Sequence, residues 1–262
     1  MKKIIGVIPV RMGSSRFPGK PLFPIAGMPM LEHVWHRAKM YSNWHALFLA
    51  TCDIEIKEFA DSKNIPCIMT SNKHSRALDR VAEAIEKSNY KINADDIILN
   101  VQGDEPFVNP ADILKIVKEM SPRSFDRNSD EVLCGMCRIT EKEQYYSPHV
   151  PKIVFSQDKP NHSGLLKYIS RAPIPAVKEG YEWPEGDAWK QVCIYGFKWW
   201  HLERFVKQKE KTVLEYIEDI EILRFLEMGI PVRMIMIEGS PMAVDTEEDL
   251  KKANDLVIKM RK

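Results

Sequence analysis

Three groups of residues in this chain have the types and spacing to do chemistry on a phosphate. The first is Arg11-Met12-Gly13-Ser14-Ser15-Arg16-Phe17-Pro18-Gly19-Lys20, ten residues holding three cations, two serines and two glycines. Cations bind polyphosphate, and glycines let the backbone approach it closely. The run is not a P-loop: five residues separate Gly13 from Gly19, and Pro21 follows Lys20 where that motif needs Ser or Thr. Its prolines favour an extended loop that wraps a triphosphate with side chains as well as backbone. The other two groups are loop carboxylates, Asp104 in Gln102-Gly103-Asp104-Glu105-Pro106 and Asp245 in Ala243-Val244-Asp245-Thr246. Mg²⁺ usually binds through one or two carboxylates plus substrate phosphates. Two such aspartates facing a basic loop suit nucleotidyl transfer with Mg²⁺ as cofactor, the metal neutralising charge on the attacked phosphate and the leaving pyrophosphate.

These residues must be held by a scaffold, and the apolar pattern supplies one. Ile4-Ile5-Gly6-Val7-Ile8-Pro9 is a continuous branched run, the pattern of a strand buried on both faces of a parallel sheet. The basic loop leaves its carboxyl end, where open α/β sheets bind ligands. Further strands at 46–51, 67–69 and 97–101 alternate with helical patterns at 30–41, 54–63, 78–88 and 110–120. Four β–α units predict an α/β fold with a doubly wound, mostly parallel sheet. Asp104 then follows the fourth strand on the same sheet edge as the basic loop. After a polar connection at 121–131 come strands near 132–139 and 152–156, an apolar segment at 165–169, and further strands at 192–197 and 232–237. A long helix is expected over 213–228, with Leu214, Ile217, Ile220, Leu223 and Phe225 as its inner face. Thr246, with Asp249 three residues on, caps a last helix running to 260. The expected organisation is one composite domain, 1–262, with a nucleotide-binding part at 1–125, an inserted α+β lobe at 126–240 and a returning helix at 241–262.

Composition excludes several classes. The chain has 262 residues, a net charge of +1 and 29% charged residues, so no global field draws it to nucleic acid or to a membrane. No apolar run approaches the roughly 20 residues that span a bilayer, and the N-terminus lacks a signal peptide's cleavage site. Five scattered cysteines fit a reducing cytoplasm. Cys134-Gly-Met-Cys137 stands alone within an apolar strand, which favours core packing over zinc or redox chemistry. His33 and His36 lie on a helix without a nearby carboxylate of metal-site type and read as surface or packing residues.

The motifs also carry a family resemblance. Ile8 through Leu22, Val101-Gln102-Gly103-Asp104-Glu105-Pro106, Ser170-Arg171-Ala172, Ile194-Tyr195-Gly196, Leu214-Glu215 through Glu221 to Arg224, and Val244 through Leu250 occur in this order. Together they resemble the 3-deoxy-manno-octulosonate (KDO) cytidylyltransferases, or CMP-KDO synthetases, over nearly the whole chain. The resemblance implies a Rossmann-like nucleotidyltransferase whose inserted lobe binds sugar and pairs the subunits of a homodimer. It implies that CTP and an acidic 3-deoxy ulosonate give CMP-sugar and pyrophosphate, the anomeric 2-hydroxyl attacking the α-phosphorus. Arg11, Ser14, Arg16 and Lys20 would hold the triphosphate, and the stretch from Met69 through Arg76 to Arg80 would flank the cytosine. Asp104 and Asp245 would hold Mg²⁺, and with Arg11 and Lys20 would form the catalytic group. Gln102, Arg171, Lys178, Gln191, Tyr195 and Glu221 would face the sugar, Arg171 being suited to its carboxylate. The pathways implied are lipopolysaccharide or capsule biosynthesis.

Departures from the family pattern cluster on the sugar side. Gln191 stands where a histidine is usual, Ile222 where a glutamine is usual, and Ala176-Val177-Lys178 where the family has Trp-Asp-Arg. Arg76-Ala77-Leu78-Asp79-Arg80 replaces the usual Ser-Gly-Thr-Glu-Arg. They raise the expectation of a modified or amino-substituted ulosonate in place of KDO itself. Two other readings compete: a nucleotidyltransferase for another acidic sugar or a sugar phosphate, and a non-catalytic nucleotide sensor. Pyrophosphate release with free KDO but not hexose 1-phosphate separates the first, and turnover at all separates the second.

Overall fold

The structure, a computed structural model, describes residues 2–14, 17–120, 130–157, 163–178, 182–238 and 242–260. Arg16 and most of the 121–131 connection lie outside these. The first half contains β1 (Ile4–Pro9), a small hairpin of β2 (Pro24–Ile25) and β3 (Met28–Pro29), α1 (Met30–Lys39), β4 (Ala46–Thr51), α2 (Ile54–Ser62), β5 (Cys67–Met69), α3 (Ala77–Lys87), β6 (Ile97–Val101) and α4 (Pro110–Met120). The second half contains β7 (Val132–Arg138), α5 (Lys142–Tyr146), β8 (Lys152–Gln157), β9 (Gly164–Ser170), β10 (Trp189–Lys198), α6 (Trp199–Lys207), α7 (Val213–Glu218), α8 (Ile222–Glu227), β11 (Val232–Met236) and α9 (Glu247–Met260).

Nine of the strands form one sheet in the order β5-β4-β1-β6-β10-β7-β11-β9-β8. The first four are mutually parallel; β1, β4 and β6 are buried almost throughout, which explains their apolar sequences, while the edge strand β5 is half-buried. Helices cover both sides. Val7, Phe48 and Ile98 join Leu78 and Val81 of α3 and Phe225 of α8 in one core. Ile8, Leu49 and Leu99 join Leu31 and Trp35 of α1 and Ile113 and Ile116 of α4 in the other. The chain runs from β1 to β4 on one side and returns to β6 on the other. The topological switch point therefore lies between the carboxyl ends of β1 and β6, where such sheets open a ligand crevice.

Beyond β6 the second half continues the same sheet. β10 is antiparallel to both β6 and β7, while β11 runs parallel to β7. The expected helix over 213–228 is two short helices instead. Asp219 adopts a left-handed conformation (φ 50°, ψ 48°) that ends α7, and Ile222 begins α8. Ile217, assigned by periodicity to an inner face, is consequently exposed, whereas Ile220, Leu223 and Phe225 are buried. The helices α5 and α6 were not anticipated. Among the described residues no helix is long and apolar enough to cross a membrane.

Candidate active site

The basic loop turns back on itself over Met12, whose carbonyl accepts from the backbone N–H groups of Ser14 and Gly19, both at 2.9 Å. The Met12 N–H in turn donates to Asp53 Oδ2 at 2.7 Å, tying the loop to the residue that follows β4. Gly19 supplies a positive φ of 76° at the entrance to a single 3-10 turn beginning at Lys20. That turn points the Lys20 ammonium inward, where it donates to Asp104 Oδ2 at 2.8 Å, Asp245 Oδ1 at 3.0 Å and the Val244 carbonyl at 3.0 Å. Burial works against the Lys20 charge, but the two carboxylates outweigh it and hold its pKa above the ordinary lysine range.

Two features bring the aspartates together. Gly103 permits the β6 loop to lie against β1, because a Cβ there would come within 2.8 Å of the Pro9 carbonyl oxygen. At the other end of the chain, a satellite core of Phe17, Ile25, Met30, Val244 and Ala253 packs α9 over the start of the chain. Within it the Val244 N–H donates to the Asp104 carbonyl at 3.0 Å. The cap expected from Thr246 forms: its Oγ1 accepts from Asp249 N–H at 3.2 Å, and Asp249 Oδ2 accepts from Thr246 N–H at 3.0 Å. Asp104 and Asp245 are about 30% exposed at their side chains, and both open onto a cleft of about 340 Å³.

Arg11, Ser14, Lys20, Arg76, Arg80, Gln102, Asp104 and Asp245 all line this cleft, joined by His74, Ser75 and Asp219. Its far wall is the approach to α3. Arg80 is buried and donates to Thr70 Oγ1 and to the Ser71 carbonyl. Glu83 accepts from Ser71 N–H and His74 Nε2. Its own burial opposes ionisation, but the hydrogen bonds from Lys87, Ser71 and His74 pull its pKa down to about 2. Arg76 meets the second half of the chain through Glu215 Oε1 at 2.7 Å. Glu215, itself buried, is gripped by the two-pronged guanidinium of Arg224 at 2.6 and 2.9 Å.

The other residues expected to face the sugar are not among those that line the cleft. Glu221 Oε1 accepts from Ala77 N–H at 2.6 Å, capping α3 from 144 residues away, and burial pushes its pKa up to about 7. Gln191 is buried on β10 and donates to Tyr195 Oη at 3.0 Å. Arg171 directs Nε, Nη1 and Nη2 to the carbonyls of Glu218 (2.5 Å), Pro148 (3.0 Å) and Asp219 (3.1 Å). These bonds hold the joint between α7 and α8. Lys178 is exposed on its loop, and Met69 ends β5 with its carbonyl accepting from Lys87. Sequence reasoning missed Asp53, Glu83 and Asp219. Asp53 was within reach, since it follows β4 on the sheet edge that the basic loop shares.

A doubly wound sheet with a basic loop and two facing carboxylates at its switch point defines a nucleotidyltransferase. A family model for cytidylyltransferases matches residues 5–236. The chain is 36% identical to the 3-deoxy-manno-octulosonate cytidylyltransferase of Thermodesulfovibrio yellowstonii, over 95% of this chain and 96% of that one. It is 34% identical to the 8-amino-3,8-dideoxy-manno-octulosonate cytidylyltransferase of Shewanella frigidimarina, with the same coverage. Among solved structures, a CMP:2-keto-3-deoxy-manno-octonic acid synthetase complexed with CTP superposes with a TM-score of 0.84 at 29% identity, covering 99% of this chain and all of the other. The protein belongs to the 3-deoxy-manno-octulosonate cytidylyltransferase family.

Proposed function

We propose that this protein joins CTP to a 3-deoxy ulosonate of the KDO type, giving CMP-sugar and pyrophosphate. The anomeric 2-hydroxyl oxygen forms a bond to the α-phosphorus as the bond to the pyrophosphate oxygen breaks. The observation that carries this reading is the convergence of Asp104 and Asp245, far apart in sequence, on one ammonium beside an arginine-lined cleft. Arg11, Ser14 and Lys20 hold the triphosphate along the loop after β1, with Arg16 assigned to the same task by its place in the motif. Arg80, anchored on Thr70 and Ser71, fixes the wall beside the base.

The donor set fits Mg²⁺: two partly exposed carboxylates offer hard oxygens and leave room for substrate phosphates. Asp104 and Asp245 would hold the ion, which when bound neutralises charge on the transferred phosphate and the leaving pyrophosphate. Gln102 reaches the cleft from the sugar side, while Tyr195, Gln191 and Glu221 support that side from behind. The segment 126–240 supplies the sugar-binding and subunit-pairing part of a homodimer. Five unpaired cysteines are consistent with work in the cytoplasm.

The test is pyrophosphate release from CTP with KDO, an amino-substituted KDO and a hexose 1-phosphate. Turnover with either ulosonate and none with the hexose 1-phosphate is expected; the reverse pattern would overturn the proposal. Asp104→Asn should lower kcat by roughly 100-fold or more while the thermal midpoint is kept.

A further inference from the structure

We infer that Arg76, in place of the cytosine-flanking role that the family resemblance implies for it, is the cation that receives the sugar's carboxylate instead of Arg171, an inference that rests on the ulosonate reading above. An ulosonate presents a carboxylate beside its reacting carbon, and such a group calls for a guanidinium at the cleft surface. Arg171 is not among the residues that line the cleft, and its Nε and Nη2 donate to the Glu218 and Asp219 carbonyls at the α7–α8 joint while its Nη1 donates to the Pro148 carbonyl ahead of β8. Arg76 does line the cleft, between Ser75 and Ala77 and together with Asp219 of that joint. Its side chain is nine-tenths buried.

The guanidinium of Arg76 is held without being saturated. Of its five N–H donors, one on Nη1 goes to Glu215 Oε1 and one on Nη2 to the Lys209 carbonyl. The buried Nε makes no hydrogen bond, although Asp79 Oδ2 stands 3.2 Å away as a counter-charge. Arg224 braces Glu215 from the core, so the head group is fixed in place before any ligand arrives. Its position in the cleft is also right. Lys20, Asp104 and Asp245 occupy the phosphate end, Arg80 is tied to the β5 side through Thr70 and Ser71, and Arg76 alone of these reaches the α7 segment. This is one of the positions where the chain departs from the family pattern, an arginine standing in the place of a serine.

The test pairs two variants, Arg76→Ser and Arg76→Lys, with two forms of the sugar, the free acid and its carboxamide. In the wild-type protein the carboxamide should bind roughly ten- to a hundredfold more weakly than the acid, the range for one charge-assisted contact. Arg76→Ser should lose a similar factor in KM for the acid, lose little further with the carboxamide, and leave KM for CTP within about twofold. Arg76→Lys, which keeps a charge beside Glu215 but not the planar fork, serves if the serine variant does not fold, and should fall between the two. If both variants discriminate acid from carboxamide as the wild type does, or if KM for CTP rises in place of that for the sugar, the assignment is overturned. Absence of CMP-sugar formation by the wild-type protein would instead count against the ulosonate reading itself.

Discussion

At the scale of single residues, Lys20 is the point on which the site turns. Its ammonium separates two carboxylates that would otherwise face each other across a partly buried gap. Removing it takes away the ammonium that both carboxylates share, a loss of charge-assisted hydrogen bonds that costs about 1.5–3 kcal/mol. Lys20→Met should therefore lower the thermal midpoint in metal-free buffer. A divalent cation binding the same pair should recover much of that loss, because ligand binding stabilises only the folded form. The melting temperature of the variant is expected to rise more on adding Mg²⁺ than that of the wild type. A variant indifferent to Mg²⁺ would sink the idea of a shared carboxylate site.

At the scale of elements, two local structures depend on partners from far along the chain. Helix α3 has no side-chain cap of its own, and Glu221 provides the acceptor for its first N–H. Helix α6 is set by His201, which is fully buried: Nδ1 accepts from Lys198 N–H at 3.1 Å, and Nε2 donates to the Asp130 carbonyl at 3.1 Å. That pattern requires the neutral ring, and burial pushes its pKa down from 6.5 to about 4. The unfolded chain thus binds a proton more readily than the folded one between those values. This contribution to stability is complete above about pH 6.5 and is lost as the pH falls towards 4, amounting to about 3 kcal/mol. His201→Gln should flatten the slope of stability against pH over that window, as read from urea midpoints. An unchanged slope would show that His201 is not the titrating group.

At the scale of the whole molecule, β10 joins the two halves, since it pairs with β6 on one side and β7 on the other. Phe197 on this strand is fully buried, and its ring lies 5.5 Å from that of Phe225. Phe197→Ala should cost about 3–5 kcal/mol. Because one sheet runs through both halves, the loss should move a single unfolding transition observed by calorimetry. Two separated transitions would contradict this coupling.

The parallel half of the sheet and the side of the cleft formed by the basic loop and Asp104 were readable from the residues alone. Four apolar runs alternating with helical patterns predict parallel strands, and loops after parallel strands share one sheet edge, so Arg11, Ser14, Lys20 and Asp104 were legible as neighbours. The Thr246–Asp249 cap was legible for a similar reason, being a contact between residues three apart. The α7–α8 side of the cleft was not readable in this way. Apolar periodicity over 213–228 is satisfied equally by one helix or by two. The break at Asp219 is held by Arg171, Glu218 and Ser170, which meet only once β9 is in place. Likewise Arg76, just ahead of α3, finds a buried partner in Glu215 of α7, 139 residues away in the chain. Local spacing encodes contacts within an element and across a shared edge; contacts made by packing distant elements are encoded only in the folded whole.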